Sequence, residues 1–198
     1  MDRDSTQNRW DDRYREQGTL WGAEPNRFLV EAVQDFEPCA ALDLGCGQGR
    51  NSLWLARRGF TVTGLDLSPV AIRQAVEMAE QQGLDVDFKA VDLGTWDPAG
   101  RMWDLVVLTY LHLSEDMRRT VHSTAKQALA PGGRLVVIAH HLENLDGGAG
   151  GPSNAALLFT EDQLAGDFAD LEIVRNEKVI RTTENGDAID VVLVARKP

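Results

Sequence analysis

Residues 42–55 read Leu-Asp-Leu-Gly-Cys-Gly-Gln-Gly-Arg-Asn-Ser-Leu-Trp-Leu. The apolar run Ala40 to Leu44 breaks into glycines spaced GxGxG, at Gly45, Gly47 and Gly49, and a helical pattern follows from about Asn51 to Arg58, closed by Gly59. A strand, a glycine loop and a helix in that order let the backbone approach a ligand closely, with helix N-terminal amides turned toward it. A second apolar run, Thr61 to Leu65, ends in Asp66, at the spacing of about 20 residues that a ribose-binding carboxylate takes after the glycine loop. Such a carboxylate can accept both ribose hydroxyl protons. The two features together point to a nucleoside-containing cofactor. The dinucleotide fingerprint GxGxxG would need a glycine at position 50, where Arg50 stands. Asp43 would also repel a pyrophosphate, whereas it suits a cationic or zwitterionic ligand. Both residues count against the alternative of an NAD-dependent oxidoreductase on a similar sheet.

Outward from this stretch, strand-like runs continue at Val86 to Ala90, Leu105 to Thr109 and Arg134 to Ala139. Ser68-Pro69 caps a helix with apolar Ile72, Ala75, Val76 and Ala79 and a stop at Gly83. Another helix starts at Ser114 and stops at Pro131-Gly132-Gly133, and Thr160-Glu161-Asp162-Gln163 has the spacing of a capping box. Leu171 to Val179 and Ala188 to Ala195 flank Glu184-Asn185-Gly186-Asp187, which reads as a hairpin. Alternating strands and helices predict a parallel sheet covered on both faces, with ligands at the carboxyl ends of its strands. Before the first strand, Arg9 to Glu16 carries Trp10 and Tyr14 four residues apart, with Trp21 beyond, as a short helical cap. The expected organisation is one domain over 1–198, with a cap in 1–35 and the core in 36–198.

The composition narrows the partners. Of 198 residues, 20 are Lys or Arg and 31 are Asp or Glu, a net charge of −11 and the wrong sign for nucleic acid. No apolar run suits a signal peptide or a membrane span, so a cytoplasmic protein without membrane partners is expected. Cys39 and Cys46 lack metal or disulfide spacing and read as buried thiols, and no metal site is evident. No amphipathic stripe is left over for an oligomer, so a monomer is expected.

The motif of an acidic residue followed by xGxGxG, here Asp43 to Gly49, resembles that of the class I S-adenosylmethionine-dependent methyltransferases. Residues 42–55, with Trp10-Asp11-x-x-Tyr14, Trp21-Gly22 and the tail from Phe159-Thr160-Glu161 through Glu184-Asn185-Gly186 to Ala195-Arg196-Lys197, are similar to the small bacterial tellurite-resistance and thiopurine-type branch. The resemblance implies a Rossmann-like α/β fold: a seven-stranded, mostly parallel sheet with a C-terminal antiparallel hairpin. It implies S-adenosylmethionine as cofactor, S-adenosylhomocysteine as product and a small-molecule methyl acceptor. Gly45, Gly47 and Gly49 would lie beneath the methionine part, with Asp43 and Arg50 beside them. Asp66 would hold the ribose, and Leu67 would lie against the adenine. Asp92 would bind the adenine amino group and Leu93 pack the ring, while Thr109 and Tyr110 would line the sulfonium. Trp10, Tyr14 and Trp21 would close over the site.

One departure stands out. Where the tellurite enzymes carry a His-Arg pair and a second Arg seven residues later, this chain has Ile180, Arg181 and Ala188, so that only Arg181 is retained. Loss of two cations weakens a pocket for an oxyanion. A soft S, Se or Te acceptor needs little help, whereas an O or N acceptor needs a general base. His112 and His140, at the ends of the fourth and fifth strands, are the candidates for proton transfer or substrate contact, or they orient loops. His122 and His141 read as structural. The Gly147–Pro152 stretch is a loop, either a lid or a plain surface connection. A non-catalytic cofactor-binding module is the remaining alternative.

Overall fold

The computed structural model describes residues 3–16 and 22–198. Its strands form a seven-stranded mixed sheet in the order β3-β2-β1-β4-β5-β7-β6, ending in an antiparallel hairpin. The chain divides into two compact units, Met1–Trp96 and Asp97–Pro198.

The first unit contains α1 (Arg3–Glu16), α2 (Arg27–Val33), β1 (Ala40–Leu44), α3 (Arg50–Arg57), β2 (Thr61–Asp66), α4 (Pro69–Gln82) and β3 (Val86–Ala90). Strands β1, β2 and β3 pair in parallel. Helix α4 starts where its signals put it: Ser68 accepts from the Ala71 amide, Pro69 follows, and Gly83 takes the left-handed C-cap. Helix α2 has no counterpart in the sequence reading beyond the general cap; the Asn26 side chain accepts from the Phe28 and Leu29 amides to start it. Cys46 is buried but Cys39 is only half-buried, a correction explained by its place just before β1.

The second unit contains β4 (Trp103–Thr109), α5 (Glu115–Ala128), β5 (Leu129–His140), α6 (Glu161–Asp167), β6 (Glu172–Thr183) and β7 (Gly186–Arg196). Helix α5 ends before the Pro-Gly-Gly signal because Leu129 is already extended and pairs with Trp103. Strand β7 runs antiparallel to β5 and opposes Asp190 to His140. The hairpin turn centres on Glu184 and Asn185, one residue earlier than an Asn-Gly turn, because Thr183 pairs with Gly186. The capping box forms as read, with Thr160 and Gln163 bonding each other's amides. No described helix is long and apolar enough to cross a membrane.

Candidate functional site

In the first unit the glycine loop and the end of β2 are joined. Asp66 Oδ2 accepts from the Gly47 amide at 2.8 Å, and its Oδ1 accepts from the Ser68 amide at 2.9 Å. Each oxygen keeps a second lone pair for a ligand hydroxyl. Burial raises the Asp66 pKa, and the Ser68 and Gly47 amides pull against that rise.

Gly47 and Gly49 adopt φ of 55° and 81°, the left-handed region that side chains disfavour. A Cβ on Gly47 would fall 2.8 Å from the Tyr14 hydroxyl, and one on Gly49 would fall 2.7 Å from the Phe88 ring. The loop is thus bare backbone on the side that Tyr14 covers. Asp43 is 1% exposed and accepts from Ser52 Oγ at 2.6 Å. Burial pushes its carboxyl up to about 6, with the Ser52 hydroxyl opposing. Its contact is with the first turn of α3, and the Arg50 charge beside it stabilises the ionised form.

Helix α1 reaches this loop. Tyr14 is buried with Val70 and Ala71, and Trp10 packs on it with ring centroids 5.9 Å apart. Asp11 is 5% exposed and accepts a hydrogen bond from Ser68 Oγ, which couples α1 to the cap of α4. Gln74 Nε2 donates to the Tyr14 carbonyl at 3.2 Å and its Oε1 accepts from Gln48 Nε2 at 3.0 Å. Asp11 was legible only as part of the Trp-Asp motif; a carboxylate between helix-facing apolar residues is its signal. Asp92 closes a turn after β3, accepting from the Gly94 amide at 2.9 Å, and Leu93 beside it is buried. Leu67 is half-buried between Asp66 and Ser68. Trp21 lies outside the described residues.

In the second unit, Tyr110, His112, His140 and Arg181 come together around a residue the sequence reading did not single out, Asp190. Its side chain is fully buried. Asp190 Oδ2 accepts from Tyr110 Oη at 2.7 Å and from Arg181 Nε at 2.9 Å, while Oδ1 lies 2.9 Å from His140 Nδ1. Burial alone would raise the Asp190 pKa, but the donors on His140, Tyr110 and Arg181 outweigh it and hold the carboxyl below its ordinary value. The lone carboxylate in the apolar run Ala188 to Val194 was the available signal, since a buried charge needs partners.

His112 Nδ1 lies 2.7 Å from the Leu157 carbonyl, and its ring stacks on His140 with centroids 5.3 Å apart. Burial pulls the His112 pKa down to about 4, with the Leu157 carbonyl opposing and His140 adding to the fall. Tyr110 has a φ of 55°, an uncommon strain for a bulky residue, and its ring lies 4.9 Å from that of His140. Thr109 beside it is buried, its hydroxyl without a hydrogen-bond partner among the described residues.

The other histidines are bound into the scaffold: His122 Nδ1 is 2.9 Å from Asp167, and His141 Nε2 is 2.9 Å from Glu161. The glycine-rich stretch is anchored. Asn144 donates to the Gly150 carbonyl and accepts from the Ile189 amide, and a Cβ on Gly151 would fall 2.7 Å from the His140 ring. No described group of His, Cys, Asp and Glu could hold a metal ion.

The chain matches the sequence model of a methyltransferase domain over residues 41–133. It is 29% identical over 179 residues to the probable S-adenosyl-L-methionine-dependent methyltransferase TehB of Haemophilus influenzae, a match covering 85% of this chain and 61% of that one. The chain spans about three-fifths of the length of the curated relatives it matches first. A structure solved for the conversion of a disulfide bond into a thioacetal group during echinomycin biosynthesis superposes with a TM-score of 0.76 at 25% identity, covering 96% of this chain and 92% of that one. The N-methyltransferase NodS of Bradyrhizobium japonicum, solved with S-adenosyl-L-homocysteine, shares the fold with a TM-score of 0.77 at 19% identity, covering 98% of each chain.

Proposed function

We propose that the chain is a class I S-adenosylmethionine-dependent methyltransferase, as the methyltransferase-domain match over residues 41–133 and the likeness to TehB support, and that it methylates a small-molecule acceptor held by Tyr110, His112, His140 and Arg181. The observation that carries the reading is the Asp66–Gly47 hydrogen bond, which sets a ribose-type carboxylate against a bare glycine loop. Gly45, Gly47 and Gly49 form the floor of the cofactor site, with Asp43 and Arg50 behind it. Asp66 takes the ribose hydroxyls, Leu67 and Leu93 pack the adenine, and Asp92 accepts from its amino group. Trp10 and Tyr14 cover the loop, and Thr109 and Tyr110 line the reacting end.

When bound, the cofactor supplies a methyl group on a sulfonium, already activated for in-line displacement. The chain's own part is to hold the acceptor in line and exclude water. His112, with its proton affinity lowered, stays neutral near pH 7 and is able to receive a proton. The acceptor atom is S, Se, Te, O or N. The likeness to the structure solved for conversion of a disulfide bond into a thioacetal supports a soft nucleophile, while the missing cations beside Arg181 count against tellurite itself.

Calorimetric titration with S-adenosylmethionine, S-adenosylhomocysteine and NAD, on wild type and Asp66→Ala, tests the reading. Binding of the first two, weakened at least about tenfold in the variant by loss of a charge-assisted hydrogen bond, is expected. Binding of NAD alone would overturn it.

A further inference from the structure

The proton positions around Asp190 follow from counting donors. Tyr110 Oη and Arg181 Nε both donate to Oδ2, which fills that oxygen. Oδ1 is buried 2.9 Å from His140 Nδ1, which is buried too, and neither atom has a partner in hydrogen-bond geometry among the described residues. A buried carboxylate oxygen needs a donor, so the His140 proton belongs on Nδ1 and its Nε2 carries the lone pair. His112 reaches the same state by another route. A carbonyl can only accept, so His112 Nδ1 donates to Leu157, and its Nε2 is a buried lone pair without a partner among the described residues. The two rings are stacked, 14° from parallel.

We propose that Asp190 is a positioning residue that holds His140 in the same tautomer as His112, so that the acceptor site offers two bare imidazole nitrogens and selects an uncharged acceptor bearing its own proton, X–H. The inference rests on the methyl-transfer reading above. As the bond from X to the methyl carbon forms, the sulfonium–methyl bond breaks and its electron pair stays on sulfur. The proton on X passes to His112 Nε2. A fully ionised oxyanion has no proton to give these nitrogens, and Arg181, the cation in contact with Asp190, is already neutralised by it. The depressed Asp190 pKa agrees with a carboxylate that stays ionised between three donors.

The test uses 15N-labelled full-length protein with S-adenosylhomocysteine bound, near neutral pH. Long-range 1H–15N correlations of the chain's 4 histidines report which ring nitrogen is protonated. His112 and His140 should both show a protonated Nδ1 and a bare Nε2. His141 should show the reverse, because its Nδ1 accepts from the Glu143 amide.

In Asp190→Asn, Tyr110 and Arg181 still require the amide oxygen, so the amide NH2 turns toward His140 and drives its proton to Nε2. That inversion should be confined to His140, with His122 and His141 unmoved. Wild-type His140 with its proton on Nε2, or an Asn variant with no change at His140, would overturn the proposal, and the wild-type spectrum decides even if the variant does not fold. Tellurite, added as the oxyanion probe, should leave the His112 and His140 resonances in place; a saturable shift overturns the substrate class. Failure of S-adenosylhomocysteine to bind the wild type would strike at the methyl-transfer reading instead, which keeps the two apart.

Discussion

Ser52 in α3 donates to Asp43 in β1 at 2.6 Å, so the first turn of the helix is tied to a carboxylate 1% exposed. Burial raises the folded-state pKa of Asp43 from 3.8 to about 6. The folded protein therefore binds more protons than the unfolded chain in that window. The stability this confers is present below the unfolded value and is lost as pH rises through about 6, roughly 3 kcal/mol in all. Asp43→Asn removes the titration and keeps an acceptor for Ser52. Its stability relative to wild type should grow as pH rises across the window, read from urea midpoints; a difference independent of pH would refute the assignment.

His112 works in the opposite sense. Its folded pKa falls from 6.5 to about 4, so the unfolded chain binds the extra proton. The stability is complete above about 6.5 and declines as pH falls through about 4, by up to roughly 3 kcal/mol. Wild type should show a shallow profile where the two groups oppose, and His112→Asn should lose the acid-side decline. A variant profile parallel to wild type would count against a neutral His112.

Gly47→Ala combines a left-handed backbone with a Cβ 2.8 Å from the Tyr14 hydroxyl. A loss of about 1–2 kcal/mol is expected from the backbone alone, with more from the clash. Tyr14→Phe in the same chain removes the hydroxyl and should restore the clash component only. Full additivity in a double-mutant cycle would mean that Tyr14 does not cover the loop.

The parts of the fold that were legible rest on signals a few residues long. Ser68 before Pro69, Gly83 after Gln82 and the Thr160–Gln163 box are local devices, and the helices start and stop at them. The place of Asp66 at the end of β2 was readable because the apolar run Thr61 to Leu65 stops there. Asp190 and Asn144 were not, because their partners Tyr110, His140, Gly150 and Ile189 are set by strand pairing and loop return, which periodicity does not encode. Helix α2 escaped because only 7 residues separate its cap from its end, too few for a periodic stripe.

Asn144→Ala should free the glycine-rich segment. It deletes the bond to the Gly150 carbonyl and leaves the Ile189 amide without its acceptor, a loss of about 1–3 kcal/mol. Limited proteolysis should then cut near residues 147–151 faster than in wild type. Wild type should also be slower to cut with S-adenosylhomocysteine bound if the segment acts as a lid; equal cutting rates with and without it would make the segment a fixed wall.

The antiparallel β7 has a consequence for how the protein assembles. Asp190 meets Tyr110 across 80 positions of chain, whereas Asp66 meets Gly47 across 19. Closing the longer loop carries about 1 kcal/mol more chain entropy. High sequence separation places the hairpin's contacts among the slower ones to form. A chain interrupted before β7 would retain the segments of the glycine loop and β2, yet lack the carboxylate on which Tyr110, His140 and Arg181 converge.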